Sequence, residues 1–282
     1  MIQLSPDKFA DSVRFFNNFF KLKINRPNLS SLQQILEKFA VIPYENISKI
    51  VKLSNHWENE SKLRLPDEVM ADHARFHLGG TCFSLTFFLE TILRYHGYQC
   101  YPVMADMKAG PNIHCAIIVI LDNQKYLIDP GYLLTSPMKL NLSQRLHRAA
   151  GIGVELRFNL PLNCYQLFTF TQQKTTWRYN FKDIPCPHDE FLRHWQASFT
   201  KPSMHGICLT KIEKHGLIYI HKNFMRRTSH SSKTNFNIKN NYHQTIHDIF
   251  GIPQELIEKA GYALQFNLEM ERKLKIWVPR GK

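Results

Sequence analysis

Gly79-Gly80-Thr81-Cys82-Phe83-Ser84-Leu85-Thr86-Phe87-Phe88-Leu89 is the stretch whose reading decides the fold. Two glycines lead into a cysteine. Behind it Leu85, Phe88, Leu89, Ile92 and Leu93 recur at i, i+3, i+4, i+7 and i+8, the spacing of one apolar helix face. Gly97 stands where that helix would stop. The pattern predicts Cys82 in a first helical turn, facing unpaired backbone N–H groups and the positive end of the helix dipole. A thiol there ionises below its free pKa of about 8.5. The same letters also describe a small buried hydrophobe, which is what most free cysteines are.

A histidine and an aspartate downstream bear on that choice. His114-Cys115-Ala116-Ile117-Ile118-Val119-Ile120-Leu121 reads as a buried strand, Asp122-Asn123 as a turn, and Gln124-Lys125-Tyr126-Leu127-Ile128-Asp129 as the return strand. With a two-residue turn, His114 and Asp129 lie diagonally on one face of the hairpin, within side-chain reach. A three-residue turn would put them on opposite faces. A carboxylate that holds an imidazole, and an imidazole that takes a thiol proton, make a nucleophile, base and orienter. Each residue also has a plain reading, His114 as a satisfied strand-end histidine and Asp129 as the opening of a Pro130-Gly131 turn.

Order along the chain matches more than these three residues. Gly-Gly-x-Cys-Phe, then a histidine before an apolar strand, then Leu127-x-Asp129-x-Gly131-Tyr132 resembles the arylamine N-acetyltransferase family. Upstream, Ile42-Pro43-Tyr44-Glu45-Asn46 is similar to that family's Pro-Phe-Glu-Asn box. Downstream, Thr200-Lys201-Pro202-Ser203 resembles its Thr-x-Pro-x-Ser region and Phe250-Gly251-Ile252 its Phe-Gly-Ile. The resemblance implies an α+β fold: an N-terminal helical bundle, a central antiparallel β-barrel and a C-terminal α/β lid, with a papain-like cysteine site where the first two meet. It implies Cys82, His114 and Asp129 as catalytic residues, and Tyr44, Gly110 and Tyr132 as substrate-binding ones. The implied co-substrate is acetyl-CoA or another acyl-CoA, with no metal. The implied partners are a small-molecule amine acceptor and a donor that is a CoA thioester or an acyl-carrier protein.

Five positions depart from the family pattern. Leu78 stands where an arginine is usual before Gly-Gly, so Glu45 needs another partner, for which Arg75 and His77 are candidates. Ser84 replaces a common Glu or Gln, Thr81 a bulky residue, and Tyr132-Leu133 a Phe-Gly corner. All surround the pocket, and none removes the thiol, imidazole or carboxylate.

The 282 residues, 44% of them hydrophobic, suffice for a sizeable core in one large or two to three small domains. Helical spacing dominates residues 1–97, which carry the nucleophile. Short strands dominate 98–185, which carry His114 and Asp129, and 186–282 are mixed. Ser5-Pro6 and Ser31 with Gln34 read as helix starts. Leu63 to Arg75 reads as a helix broken at Pro66, Asp189 to Phe199 as a helix, and 205–226 as two strands. Arg227 to Asn241 reads as a mobile loop. A final helix from His247 to Ala263 is kinked or restarted at Pro253, and Trp277 docks the tail.

No signal peptide, membrane-length apolar run or Cys-x-x-Cys pair occurs, so a cytoplasmic protein with reduced thiols and no membrane contact is expected. No His-Glu-x-x-His or comparable spacing points to a metal. The formal charge of +13 fits a phosphate-bearing cofactor or a plain basic surface. No RNA-binding signature accompanies it, so no specific nucleic acid is expected. The favoured activity is acyl transfer from a CoA thioester to an amine through an acyl-cysteine, with ping-pong kinetics. Its alternatives are an amide synthase using a longer acyl thioester, a thiol hydrolase or transglutaminase-like enzyme, and a basic binding module with a decayed triad.

Overall fold

The computed structural model describes residues 3–57, 60–140, 143–147, 153–171, 173–213, 216–229 and 232–276. Pro6 opens a 3-10 turn, Pro6–Phe9, that runs into α1 (Ala10–Phe19); the Ser5 side chain makes no capping bond. Helix α2 (Leu29–Phe39) starts earlier than its serines suggest, because Asn28 is the cap and its Oδ1 accepts from Ser31 N at 2.8 Å. Ser31 instead turns its hydroxyl to Arg26 O, 3.0 Å away. Next come β1 (Tyr44–Glu45), α3 (Ile47–Asn55) and α4 (Pro66–Phe76). Pro66 does not break α4 but opens it, at a position whose N–H would be unpaired in any case.

Helix α5 (Cys82–Tyr95) is not amphipathic in practice, since every residue from Cys82 to Leu93 is buried. One side, with Leu85, Phe88, Leu89 and Ile92, packs on Phe16, Phe39 and Ile42. The other sets Phe83 5.3 Å from the Phe191 ring and Phe87 6.1 Å from that of Trp195. A helix covered on all sides is the axis of the molecule, and its first turn is therefore held rigidly.

The strands β2 (Gln99–Met107), β3 (Gly110–Leu121), β4 (Gln124–Ile128), β5 (Met138–Lys139), β6 (Ser143–His147), β7 (Gly153–Asn159), β8 (Cys164–Phe170) and β9 (Thr175–Phe181) form one antiparallel sheet. Its order is β5-β4-β3-β2-β9-β8-β7-β6, and the two edge strands approach each other, so the sheet is a nearly closed barrel. The β3–β4 turn holds two residues, with Leu121 opposite Gln124. Both Asp122 and Asn123 have positive φ, at 50° and 57°, as a primed turn demands.

The C-terminal region adds α6 (His188–Ala197), β10 (Cys208–Glu213), β11 (Gly216–His221), β12 (Phe224–Ser229), β13 (Lys233–Asn237), α7 (Tyr242–Phe250) and α8 (Gln254–Lys273). The second sheet has the order β1-β10-β11-β12-β13, so it recruits Tyr44–Glu45 from far upstream, with Tyr44 opposite Thr210. Leu209, Ile218, Ile220 and Met225 share one core with Phe191, Trp195, Ile246, Phe250 and Ile257 of α6, α7 and α8. The chain restarts after Pro253.

Residues 205–226 thus hold two strands and the start of a third. Most of the segment from Arg227 to Asn241 is not a loop: Arg227 pairs with Thr234 and Arg226 with Asn235 along an edge strand. Every residue of β13 is exposed, so it lacks the apolar alternation that marks a strand in sequence. Trp277 lies outside the described residues. Among the described residues no helix is long and apolar enough to cross a membrane.

Candidate active site

Thr81 is the N-cap of α5, and Cys82 is its first helical residue. The approach is fixed by the glycines. A Cβ on Gly79 would stand 1.8 Å from Pro43 O, so only glycine lets the two backbones pass. Glu45 N donates to Gly80 O at 3.0 Å, which ties β1 to the nucleophile loop. Glu45 itself is fully buried and takes Ser48 N at 2.9 Å, Ser48 Oγ at 2.5 Å and Gly79 N at 3.2 Å. Neither Arg75 nor His77 reaches it. Arg75 stacks on Phe76, and His77 is the left-handed cap of α4. The buried arginine at this corner is Arg64, whose Nη2 donates to Gly79 O at 3.1 Å while Nη1 holds Asp72 at 2.6 Å.

His114 and Asp129 arrive from β3 and from the residue after β4. His114 Nε2 donates to Asp129 Oδ2 at 2.8 Å, so Nδ1 is left for the thiol side. Asp129 is fully buried, and it also accepts Tyr179 OH at 2.7 Å on Oδ2 and Tyr132 N at 3.0 Å on Oδ1. The two rings flank the imidazole, with centroids 4.8 Å (Tyr179) and 5.3 Å (Tyr132) from His114. All three groups converge on Gly131: a Cβ there would meet His114 Cε1 at 2.8 Å, Cys82 Cβ at 3.1 Å and Asp129 Oδ1 at 3.3 Å. Cys82 Sγ lies 3.9 Å from Ile113 O.

The electrostatics favour a charged pair. The Cys82 thiol ionises well below its usual value. The neighbouring Cys115 is the largest cause, burial opposes it, and His114 and Lys49 add to the lowering. Burial works against a charged His114, but the Asp129 carboxylate and the Cys82 sulfur outweigh it and raise the imidazole to about 10. Lys49 is buried on α3, with Nζ donating to Ser198 Oγ at 2.6 Å and lying 4.4 Å from the Phe199 centroid. Burial lowers it to about 8, against the pull of Cys82 and Cys115. Cys115 is pushed well above the ordinary thiol range, first by burial and then by Cys82.

Tyr44 faces the same centre: burial first, then the neighbouring Cys82, raise its phenol well above its usual value. Gly110 is set apart. It starts β3 opposite Met107 with φ +148°, four residues from His114, or about 13 Å of strand. A cavity of about 500 Å³ opens beside that turn, lined among others by Met104, Asp106, Asn112, Lys182 and Cys186, but not by Cys82, His114 or Asp129.

Sequence reasoning missed Tyr179, Cys115 and Lys49. Tyr179 sits on a strand, β9, that sequence reasoning did not delineate. Cys115 had a detectable signal, since it follows His114 and therefore points to the opposite face, toward α5. Lys49 had none.

The N-acetyltransferase family model matches residues 28–258 of the chain. No curated protein matches it by sequence. Among solved structures, the arylamine N-acetyltransferase from Mycobacterium abscessus superposes with a TM-score of 0.76 at 15% identity, over 93% of this chain and 96% of that one. The Nocardia farcinica enzyme gives 0.76 at 14% identity, over 93% and 98%. An arylamine N-acetyltransferase from Bacillus cereus, described as having a Cys-His-Glu catalytic triad, gives 0.68 at 18% identity, over 86% and 99%.

Proposed function

Because the chain belongs to the N-acetyltransferase family and has the arylamine N-acetyltransferase fold, we propose that it moves an acetyl group from acetyl-CoA to a small amine through an acyl-cysteine at Cys82. The observation that carries this reading is the convergence of a low-pKa thiol, an imidazole and a buried carboxylate around Gly131. The Cys82 sulfur attacks the thioester carbonyl, and the S–C bond to CoA breaks as the CoA thiolate takes the imidazolium proton. The backbone N–H groups that open α5 face the oxyanion. In the second half His114 removes a proton from the amine as nitrogen displaces the Cys82 sulfur. Asp129 keeps Nε2 protonated and the ring in place.

Tyr44 and Tyr132 are the proposed walls of the acyl and acceptor pocket, with Gly110 at its outer rim. The proposed domains are a helical one over residues 1–97, a barrel over 98–185 and a lid over 186–282. The chain is proposed to act in the cytoplasm, with no metal and with a CoA thioester as donor, an acyl-carrier protein being the alternative.

Intact mass after mixing with acetyl-CoA tests the first half. The expected result is one acetyl group on the wild type, none on Cys82→Ala, and its discharge on adding an amine. Discharge to water at the same rate with and without amine would instead mark a hydrolase. No acylation by any CoA or carrier-protein thioester would end the acyltransferase reading.

A further inference from the structure

Two thiols meet at the centre of this molecule, and acyl transfer needs only one of them. Cys115 is fully buried on β3, on the face opposite His114 and toward α5. Its Sγ donates to Thr86 Oγ1 at 3.4 Å, and Thr86 Oγ1 donates to Cys115 O at 3.4 Å. Thr86 lies one helical turn after Cys82, on the same helix face. Cys82 Sγ in turn contacts the carbonyl of Ile113, two residues before Cys115. These contacts seat both cysteine side chains where the first turn of α5 meets β3, within one buried cluster. Neither Cys82 nor Cys115 hydrogen-bonds any of the other described cysteines, and Cys186 turns its sulfur to Pro187 O at 3.7 Å.

We propose that Cys115 is the resolving thiol of Cys82: a peroxide oxidises Cys82 to a sulfenic acid, and Cys115 then closes a Cys82–Cys115 disulfide that shuts the site reversibly. In the first step the Cys82 thiolate attacks one peroxide oxygen. The S–O bond forms, the O–O bond breaks, sulfur loses two electrons, and the departing hydroxide takes the imidazolium proton of His114 to leave as water. In the second step the Cys115 sulfur attacks the Cys82 sulfur. The S–S bond forms, the S–O bond breaks, and hydroxide departs as water with the Cys115 proton.

The site has what each step needs. Attack on peroxide requires a thiolate, and Cys82 is ionised well below the ordinary thiol range. Resolution requires Cys115 to lose its proton. Some of what holds that proton is the charge on Cys82, which vanishes once the sulfur carries a hydroxyl. Burial keeps Cys115 unreactive in the reduced protein, so it does not compete for the donor. The disulfide would spare the nucleophile from sulfinic acid, which is not recovered by ordinary thiols. The inference rests on the proposed function only through the Cys82 thiolate.

The test uses the full chain and hydrogen peroxide in excess, followed by dithiothreitol, with iodoacetamide labelling of Cys82 and non-reducing peptide mapping as readouts. The wild type should become lighter by two hydrogen atoms, yield a peptide joining Cys82 to Cys115, and regain full labelling after dithiothreitol. Cys115→Ala, and Cys115→Ser as the variant that keeps a polar contact with Thr86, should gain two or more oxygen atoms at Cys82 and stay unlabelled. Recovery of either variant to the wild-type level would overturn the proposal. So would a wild type whose Cys82 is over-oxidised while Cys115 stays free, or is linked to another cysteine. A protein that forms this disulfide but never takes an acetyl group would refute the acetyltransferase reading and leave this one standing.

Discussion

Cys82 carries a charge that its chemistry needs, and the pH window of that charge follows from its neighbours. Its thiol is held well below the usual range, so the thiolate is present through neutral pH and is lost only in acid. His114 keeps its proton up to about 10, so the imidazolium beside the thiolate is lost only as pH rises through that value. Alkylation of Cys82 by iodoacetamide should therefore run at a nearly constant rate across neutral pH. The other described thiols should accelerate tenfold per pH unit below their pKa, since burial raises Cys100, Cys186 and Cys208 to about 12. A Cys82 rate that climbs with pH like a free thiol's would refute the ion pair. Asp129→Asn presents an amide that no longer fixes the tautomer, and turnover should fall roughly 10²–10⁴-fold with the fold intact by circular dichroism. Wild-type turnover in that variant would make Asp129 a turn residue and nothing more. These three residues were legible because each sits at a place sequence can mark: a helix start, a strand end, a turn. Tyr179 and Lys49 were not. A buried polar group far along the chain leaves no period behind it, and only the fold brings it to its partner.

Helix α4 ends beside the nucleophile loop, and its last turn carries a histidine that is buried as a neutral group. His73 Nδ1 bonds Leu78 O at 3.0 Å, and its ring lies 5.8 Å from that of Phe20. Burial, against the help of the Leu78 carbonyl, lowers it from 6.5 to about 4. Below pH 6.5 the unfolded chain thus binds a proton that the folded one refuses, so stability falls with pH until about 4, where both forms are charged. Between pH 7 and pH 5 the loss from this one group is roughly 2 kcal/mol. Urea midpoints at the two pH values should separate less in His73→Gln than in wild type; an unchanged gap would mean His73 protonates freely in the fold. Element ends were the least legible level of the chain. Asn28 displaced the serines as the cap of α2, and Pro66 opened a helix it was expected to break, because both residue types serve either purpose. The edge strand β13 was hidden by its own polarity, which suits a strand with no second neighbour.

The last long helix clamps the beginning of the chain to its end. On α8, Asn267 donates Nδ2 to Ile50 O at 2.9 Å and accepts Trp57 Nε1 at 2.9 Å, while Glu271 takes His205 Nε2 at 2.7 Å. Asn267→Ala leaves the buried Ile50 carbonyl without that donor and the Trp57 indole without that acceptor. It should lower unfolding free energy by roughly 1–3 kcal/mol per abandoned group. Denaturant melts read it, and a change under about 0.5 kcal/mol would show that α8 docks by its apolar face alone. The broad order of helices, barrel and mixed end was legible from the change of period near residue 97. What no local pattern could show is that Tyr44–Glu45, between two helices, completes a sheet with residues translated long afterwards. That pairing sets a clock on the thiol. While the chain is still being made, Tyr44 has no Thr210 beside it, Lys49 no Ser198, and Asp129 no Tyr179. Contacts of such sequence separation form late. The frame around the thiol is therefore completed only once synthesis has reached Thr210.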